Sequence, residues 1–192
     1  MAKSKEECQQ AVCVFAPNRE KVTGTIRMHQ SKGGVRFTGW IKGMRDGKHG
    51  LHIHQYGDLT EGCESACAHF NPDQQHHGGL ASKTRHLGDL GNVVSRNGKA
   101  RVALSALGLS LCSPARTATV GRMIVVHEMP DDLGLGGNAE SLETGNAGRR
   151  IACGVIGLAA PTSSRRTSGK KQLGRSHRLR RQPRRTRNKK AP

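Results

Sequence analysis

The stretch Gly50-Leu51-His52-Ile53-His54-Gln55 alternates apolar and polar residues, and this period of two is typical of a half-buried β-strand. Residues i and i+2 of a strand point to the same face, so His52 and His54 can bind one metal ion together. Further residues of metal-binding type follow in the order His69, His77, His86, Asp89 and, far downstream, His127. Six imidazoles favour copper or zinc, and the single carboxylate suits zinc, which accepts nitrogen and oxygen ligands together. The sequence therefore predicts two adjoining metal sites built from one histidine-rich loop and two strands.

Seven further segments show the alternation or the apolar character of short strands: residues 11–15, 22–28, 35–41, 93–94, 100–104, 123–127 and 151–158. Asn97-Gly98 separates two of them and indicates a hairpin, because a type I′ turn needs positive φ at both central positions. Residues 58–89 and 129–150 are predicted to stay irregular, and loops of that length in a compact domain are usually functional. We therefore predict an all-β protein, an eight-stranded Greek-key sandwich or flattened barrel with two long functional loops.

Composition agrees with a loop-rich β protein. Aromatic residues make up only 3% of the 192 residues, and 25 residues are glycine, so the core must be built from Val, Ile, Leu and Ala. No apolar run has the length of a membrane-spanning helix, and no apolar segment follows the basic start of the chain. These features predict a soluble, cytoplasmic protein that does not bind membranes.

Several stretches together resemble the copper/zinc superoxide dismutases. They are Gly50 to Asp58, His69-Phe70-Asn71-Pro72, His77-Gly78-Gly79, Arg85 to Asn92, and the late stretch Gly145 to Ile156 with its Arg149-Arg150-Ile151-Ala152-Cys153. The resemblance covers roughly residues 10–159 and implies the same Greek-key architecture. It divides the chain into an N-terminal extension (1–9), a copper/zinc superoxide dismutase domain (10–160) and a basic tail (161–192).

The resemblance implies a role for each metal-binding residue. Copper is expected on His52, His54, His69 and His127, and zinc on His69, His77, His86 and Asp89. The implied activity is dismutation of superoxide to dioxygen and hydrogen peroxide by a redox-cycling copper, bridged through His69 to a structural zinc. The catalytic residues would be His69, which also handles a proton, and Arg150. If any one of these histidines stood alone, a hydrogen-bonded structural role would be the better interpretation. His76, which adjoins His77, is expected to face solvent.

Other residues around the expected site take roles from the same resemblance. Arg150 would bind the superoxide anion beside the copper, where a fixed guanidinium supplies charge and donors. Thr144 would narrow the channel mouth, and Asp131 would link a copper ligand to a zinc ligand through hydrogen bonds. Arg149 is expected to be a surface cation. The chain has Met129 and Glu143 where many family members have lysines, so with Glu140 the rim is expected to be less positive, which would slow anion encounter.

Six cysteines raise the question of pairing. The resemblance implies a disulfide between Cys63 and Cys153 that ties the metal loop to the last strand, although cytosolic disulfides are unusual. Cys13 is expected to be a buried strand thiol, and Cys112 is placed in a connecting loop. Cys67 departs from the family, which has a small non-thiol residue there, so it either takes part in disulfide exchange or is inert.

The resemblance also implies a homodimer whose apolar two-fold contact includes Tyr56, Gly57, Gly121 and the end of the last strand near Ile156 and Leu158. The segment 109–120 is about two residues longer than is typical of the family. Loops of this kind can lie near that contact, so the lengthening is the feature expected to disturb the dimer most.

The formal net charge of +18 is concentrated at the end of the chain. Residues 161–192 contain 13 Lys or Arg and no Asp or Glu, which leaves 19 basic and 14 acidic residues in the first 160. This tail lacks the apolar residues needed to offset the entropy of ordering, so we expect it to be disordered. It is either a solubilising extension or a non-specific polyanion site, for nucleic acid or heparin-like chains, through residues 165–190. Residues 180–190 also resemble a nuclear localisation signal.

Three rival functions remain to be separated from an active dismutase. A copper chaperone built on the same domain would need an N-terminal Met-x-Cys-x-x-Cys motif and a late Cys-x-Cys, which the sequence lacks. A catalytically weak dismutase-like protein is disfavoured by the complete ligand set. The third is a polyanion-binding protein that acts mainly through its tail.

Overall fold

The computed structural model describes residues 9–112 and 115–160. Eight strands make up nearly all of the regular structure in that part of the chain. They are β1 (Gln10–Phe15), β2 (Thr23–Ser31), β3 (Gly34–Lys42), β4 (Gly47–His54), β5 (Asp89–Arg96), β6 (Lys99–Leu107), β7 (Met123–His127) and β8 (Arg150–Leu158). Each predicted strand is present, in most cases one to four residues longer than the sequence pattern indicated.

The strands close into one antiparallel barrel in the order β1-β2-β3-β6-β5-β4-β7-β8. Strand β3 pairs with β6, whereas β4 pairs with β5 and β7, so the β3–β4 and β6–β7 connections both pass over the ends of the barrel. This is Greek-key connectivity, and closure leaves no exposed sheet edge. The predicted all-β Greek-key fold is confirmed in its barrel form.

Side-chain alternation builds the core on the inside of the barrel. In β1, Ala11, Cys13 and Phe15 are buried, whereas Val14 is exposed. Strand β4 differs, because its last six residues are all buried. Leu51 and Ile53 pack in the core, while His52 and His54 point to the opposite face, where the long loops cover them. The barrel wall thus holds the metal-binding histidines on its outside.

The hairpin predicted at Asn97-Gly98 is confirmed. These residues have φ of 50° and 69°, and they join β5 to β6 through the paired residues Arg96 and Lys99. Both positive φ values match the type I′ requirement from which the turn was inferred.

The two long loops contain more regular structure than predicted. The first includes a short 3₁₀ turn at Glu64–Ala66. The second was expected to be irregular throughout 129–150, which is wrong, because helix α1 occupies Ala139–Thr144. The side chain of Asn138 caps its start by accepting the N–H of Ser141, and Gly145, with φ of 68°, ends it. A six-residue helix is too short to leave a periodic pattern in the sequence.

Some sequence predictions fall outside the described residues. These are most of the N-terminal extension, whose residues 1–8 are not described, and the whole tail 161–192. Cys112 lies in the β6–β7 connection, as predicted. Among the described residues, no helix is long and apolar enough to cross a membrane.

Candidate metal centre

Four parts of the fold bring the seven predicted ligands together. Strand β4 supplies His52 and His54, β7 ends at His127, and Asp89 is the first residue of β5 rather than part of the loop before it. The loop between β4 and β5 supplies the remaining three, which are His69, His77 and His86. All seven side chains are buried. An isolated β-bridge between His54 and His69 fixes the loop directly against β4.

The first donor group consists of His52, His54, His69 and His127, whose nearest ligand atoms all lie within 4.8 Å of one another. His54 Nδ1 lies 2.7 Å from the carbonyl oxygen of Cys67, and His127 Nδ1 lies 3.0 Å from that of Gly148. A carbonyl only accepts, so each Nδ1 carries the proton and each Nε2 presents a lone pair. These two Nε2 atoms face each other at 3.3 Å, an arrangement that a shared cation stabilises.

The other two histidines of this group also present one free nitrogen each. His52 Nε2 lies 3.0 Å from Asp131 Oδ2, so its Nδ1 is left as the ligand atom. His52 Nδ1 and His69 Nε2 are both buried without a hydrogen-bond partner. A buried nitrogen without a hydrogen-bond partner lowers the stability of the fold unless a metal or another group binds it. Four imidazole lone pairs converging on one point fit copper.

The second donor group centres on Asp89 Oδ1. This oxygen lies 2.9 Å from His69 Nδ1, 3.0 Å from His77 Nδ1 and 3.3 Å from His86 Nδ1. His86 Nδ1 and His69 Nδ1 are 3.4 Å apart. A tetrahedral zinc ion with bonds of about 2.0–2.1 Å separates its ligands by about 3.3–3.4 Å, so these four atoms fit zinc. The cluster whose ligand atoms lie within 4.8 Å of one another contains His52, His69, His77 and Asp89, and His86 is not part of it. His86 approaches this cluster through Asp89 Oδ1 and His69 Nδ1, whereas His52 Nε2 is held by Asp131 and its Nδ1 belongs to the first group.

Local hydrogen bonds orient the Asp89 carboxylate. Its other oxygen, Oδ2, accepts the backbone N–H groups of His86 at 2.8 Å and Gly78 at 3.1 Å, which turns Oδ1 toward the histidines. Burial alone would raise the pKa of Asp89, but hydrogen bonds with His69, His77 and His86 outweigh it and hold that pKa far below its usual range. The carboxylate is therefore ionised, as a metal ligand must be.

The histidine pKa values differ between the two groups. Burial, together with the proximity of His69, lowers the pKa values of His52 and His54 well below the usual value, and burial lowers that of His127 to about 4. These rings are therefore neutral at physiological pH, ready to bind a metal. For His77, burial is outweighed by hydrogen bonds to Asp131 and Asp89, which raise its pKa to about 9. A metal that binds at Nδ1 of this ring therefore displaces the proton directed at Asp89, while the proton on Nε2 stays with Asp131.

Asp131 connects the two groups. Its carboxylate lies 3.0 Å from His52 Nε2 through Oδ2 and 2.8 Å from His77 Nε2 through Oδ1. The backbone N–H of Leu133 also donates to Oδ1 at 2.7 Å, and paired backbone–side-chain bonds with Asn92 hold the main chain of Asp131. These hydrogen bonds place Asp131 between His52 and His77, and the linking role that the resemblance implies for it stays a prediction.

Arg150 lies at the wall of a cavity of about 440 Å³ that opens onto the first donor group. Its guanidinium donates to the carbonyl oxygens of Cys63 and Cys67, both at 2.6 Å, and of Glu64 at 3.1 Å. The carbonyl of Cys67 also accepts from His54, so one peptide group positions both the arginine and a ligand histidine. These bonds fix the guanidinium beside the expected copper.

The cavity rim carries carboxylates rather than lysines. Among the described residues, Arg150 is the one Lys or Arg side chain that lines the cavity, whereas Glu140 and Glu143 both line it. Thr144 lies on the same wall, at the end of α1, and its hydroxyl donates to the carbonyl of Glu140. The predicted loss of positive charge at the rim agrees with this lining.

The predicted disulfide is confirmed. Cys63 and Cys153 are joined with a Cα–Cα distance of 5.6 Å, and the bond ties the first long loop to β8 across 90 residues of sequence. Cys13 is a buried free thiol, as predicted, and it donates to the carbonyl of Gly154 at 3.1 Å. Cys67 is free and exposed.

Three features of the site were missed or underestimated from the sequence. Glu64 places a carboxylate oxygen 3.8 Å from Arg150 Nε, where no local signal pointed to it. His49 is buried, with Nδ1 3.0 Å from the carbonyl oxygen of ligand His127 and Nε2 2.9 Å from that of Arg45. Its position three residues before His52 was the available hint. His76 is exposed, as predicted, but it also lines the cavity rim.

Comparison with known proteins places this site in a family. The family model described as copper/zinc superoxide dismutase matches residues 22–156. A superoxide dismutase [Cu-Zn] of Paramecium bursaria Chlorella virus 1 is 52% identical over 140 residues, covering 72% of this chain and 74% of the relative. Superoxide dismutase [Cu-Zn] A of Xenopus laevis is 49% identical over 149 residues (77% and 97%), and an extracellular superoxide dismutase [Cu-Zn] of Brugia pahangi is 44% identical over 154 residues (78% and 76%). The protein belongs to the copper/zinc superoxide dismutase family.

Proposed function

We propose that this protein is an enzyme that dismutes superoxide to dioxygen and hydrogen peroxide. The observation that carries the proposal is the pair of buried donor groups, the four histidines of the first and the three histidines around Asp89 of the second, which share His69 and adjoin the cavity lined by Arg150. When bound, copper supplies the one-electron oxidation and reduction, and zinc, which has no redox chemistry, supplies structure. Copper is assigned to His52, His54, His69 and His127, and zinc to His69, His77, His86 and Asp89.

Arg150 binds the substrate anion. Its guanidinium is held by three backbone carbonyls, so little ordering entropy is lost when an anion arrives. The side chain is 19% exposed, enough to present N–H groups to the cavity. Thr144 on the same wall limits the size of what enters, which suits a diatomic anion.

His69 handles a proton. Its Nδ1 is directed at Asp89, while its Nε2 is buried without a partner and faces the first donor group. Nε2 is therefore the atom of His69 that carries a proton and gives it to the departing peroxide. After this transfer Nε2 is again unprotonated. The carboxylate of Asp131 keeps His52 and His77 in the tautomers that leave Nδ1 free.

Metal analysis and a superoxide assay on the purified, metal-replete chain test this function. One copper, one zinc and dismutase activity are expected per chain. His127→Ala should remove copper and activity while zinc stays bound, because His127 belongs only to the first group. His76→Ala, which changes an exposed histidine that belongs to neither donor group, is the matched control and should keep both metals. A replete wild-type protein without dismutase activity would refute the proposal.

We also propose that the protein forms a homodimer through an apolar patch. Tyr56 and Leu158 are 53% and 41% exposed. A Cβ on Gly57 would collide with the carbonyl oxygen of Gly121, so these two glycines are in close contact, and Gly121 is exposed. Ile156, expected in the contact, is instead fully buried in the core of one chain, and its carbonyl oxygen accepts the N–H of Gly121 at 2.9 Å. Sedimentation at micromolar concentration should give a dimer, and Tyr56→Glu should shift it to monomer.

A third proposal is polyanion binding by the tail. It is supported by the 13 Lys or Arg and the absence of Asp or Glu in residues 161–192. Heparin, DNA and RNA should bind through residues 165–190 without sequence preference, and binding should weaken steeply with salt because counterions are released. A chain ending at Ala160 should lose this binding.

The cytoplasmic location stays a prediction, and cell fractionation tests it. The alternative is the nucleus, which the basic run of residues 180–190 favours.

A further inference from the structure

The outer face of strands β1, β2, β3 and β6 carries positive charge that the metal centre does not use. Alternation turns five cations of β2, β3 and β6 outward, and all five are exposed: Arg27, Arg36, Lys42, Lys99 and Arg101. Trp40, 53% exposed, lies among them. These six residues are named the basic face. None of the four strands contains Asp or Glu.

Strand register places Trp40 within reach of three of these cations. Arg101 is its direct cross-strand partner on β6, and Thr25 is its partner on β2. Arg27 lies diagonal to Trp40, and Lys42 is two residues further along β3. Neighbouring strands are about 4.8 Å apart, so these long cationic side chains can reach the indole. A groove of about 660 Å³ runs beside Trp40 and is lined by Arg27, Lys42 and the threonines Thr23, Thr25 and Thr38.

This charge is not neutralised within the described part of the chain. The ion pairs formed there involve other residues, and none includes a cation of the basic face. Asp46 lies at the hairpin end of β6, where it accepts the N–H of Gly98 at 2.9 Å. Lys42 and Lys99 are direct cross-strand partners. Like charges in that position destabilise a sheet, and local violations of this kind are expected where a surface has a function.

We propose that the basic face binds single-stranded nucleic acid, with phosphates on its cations and a base stacked on Trp40. An exposed aromatic ring in a basic groove is the usual way in which proteins hold single strands without reading sequence. Polysaccharides offer no base to stack, and duplexes keep their bases inside the helix. The tail contains no aromatic residue. Base stacking therefore distinguishes the basic face from the tail, and this proposal is independent of the dismutase activity.

Trp40 is itself the probe, because the chain contains a single tryptophan. Oligothymidylate added to the full-length, metal-replete protein should quench its fluorescence, whereas heparin, which the tail can also bind, should not. Trp40→Thr should weaken oligothymidylate binding about tenfold, measured with a labelled strand, since one stacked base contributes about 1–3 kcal/mol and 1.4 kcal/mol is a factor of ten. Its heparin affinity should stay at the wild-type value. Copper and zinc content checks the fold of each variant.

Charge variants test the same surface. Arg27→Gln with Arg101→Gln should reduce the slope of log affinity against log salt by about 1.4, because each lost contact to a single strand contributes about 0.7. Lys48→Gln with Lys83→Gln removes two exposed cations outside these four strands and is the matched control, with an expected change near zero. Absence of quenching, or equal effects of the two pairs, would overturn the proposal and assign binding to the tail. An equal loss of heparin affinity in Trp40→Thr would also overturn it, since stacking would then not be involved.

Discussion

Replacing Asp131 with alanine should weaken zinc binding about 10–100-fold. The carboxylate accepts the Nε2–H of His77 at 2.8 Å and that of His52 at 3.0 Å, and each bond leaves the Nδ1 of the ring free for a metal. Loss of one such orienting partner typically costs 10–100-fold in affinity, which is about 1.4–2.7 kcal/mol. His77 lies on the loop and loses its main anchor, whereas His52 is also held by the pairing of β4. The loss should therefore be larger for zinc than for copper.

Competition against a zinc chelator of known affinity measures this effect at constant pH. Asp132→Ala is the control: this neighbouring carboxylate accepts from Ser141 at 2.8 Å and Asn146 at 2.6 Å, so its removal loosens the same loop without touching a ligand histidine. Wild-type zinc affinity in Asp131→Ala would refute the tautomer argument. An equal loss in Asp132→Ala would show that the loop, and not the hydrogen bonds to the histidines, decides zinc affinity.

Three other predictions follow from single residues. Arg150→Glu should sharply lower activity with both metals retained, because it puts a like charge where the anion binds. Arg149→Glu breaks only surface ion pairs with Glu128 and Glu20, so it should lower activity much less. Steady-state rates and metal content of the two variants test this difference. Cys67 has φ of 57° and ψ of −143°, a region that favours glycine, so Cys67→Gly should raise the free energy of unfolding by about 1–2 kcal/mol in denaturant titration, whereas Cys67→Ala, which keeps the Cβ, should not. Burial raises the pKa of Cys13 from 9.0 to about 12, so the folded chain retains a proton that the unfolded chain loses. The unfolding free energy should therefore fall as pH rises from about 9 toward 12, and this dependence should be reduced in Cys13→Ala.

Much of the fold and the identity of the ligands could be predicted from the sequence because both depend on short-range patterns. Period-two alternation locates the strands, and Asn97-Gly98 locates a turn that few other residues allow. The His52-x-His54 spacing places two imidazoles on one face whatever the rest of the chain does. The resemblance added the pairing of Cys63 with Cys153, which the structure confirms.

Helix α1 was missed because it has only six residues, too few for a helical periodicity to show in the sequence. Which ring nitrogen of each histidine is free to bind a metal could not be predicted from the sequence either. It depends on which distant group forms a hydrogen bond with the other nitrogen. For His54 that group is the carbonyl of Cys67, 13 residues away, and for His127 it is the carbonyl of Gly148, 21 residues away. A hydrogen bond of this kind exists only after the loops have packed.

The same reason applies to the charges. Glu64 lies 86 residues before Arg150, and only the loop that carries the disulfide brings its carboxylate to the guanidinium. Arg27, Trp40 and Arg101 are widely spaced in sequence, and each reads on its own as an ordinary outward residue of a strand. The sequence by itself determined that each of these residues points outward from its strand. Strand order and register decided that the three share one face, because β3 pairs with both β2 and β6 only when the barrel closes, and this pairing depends on long-range contacts.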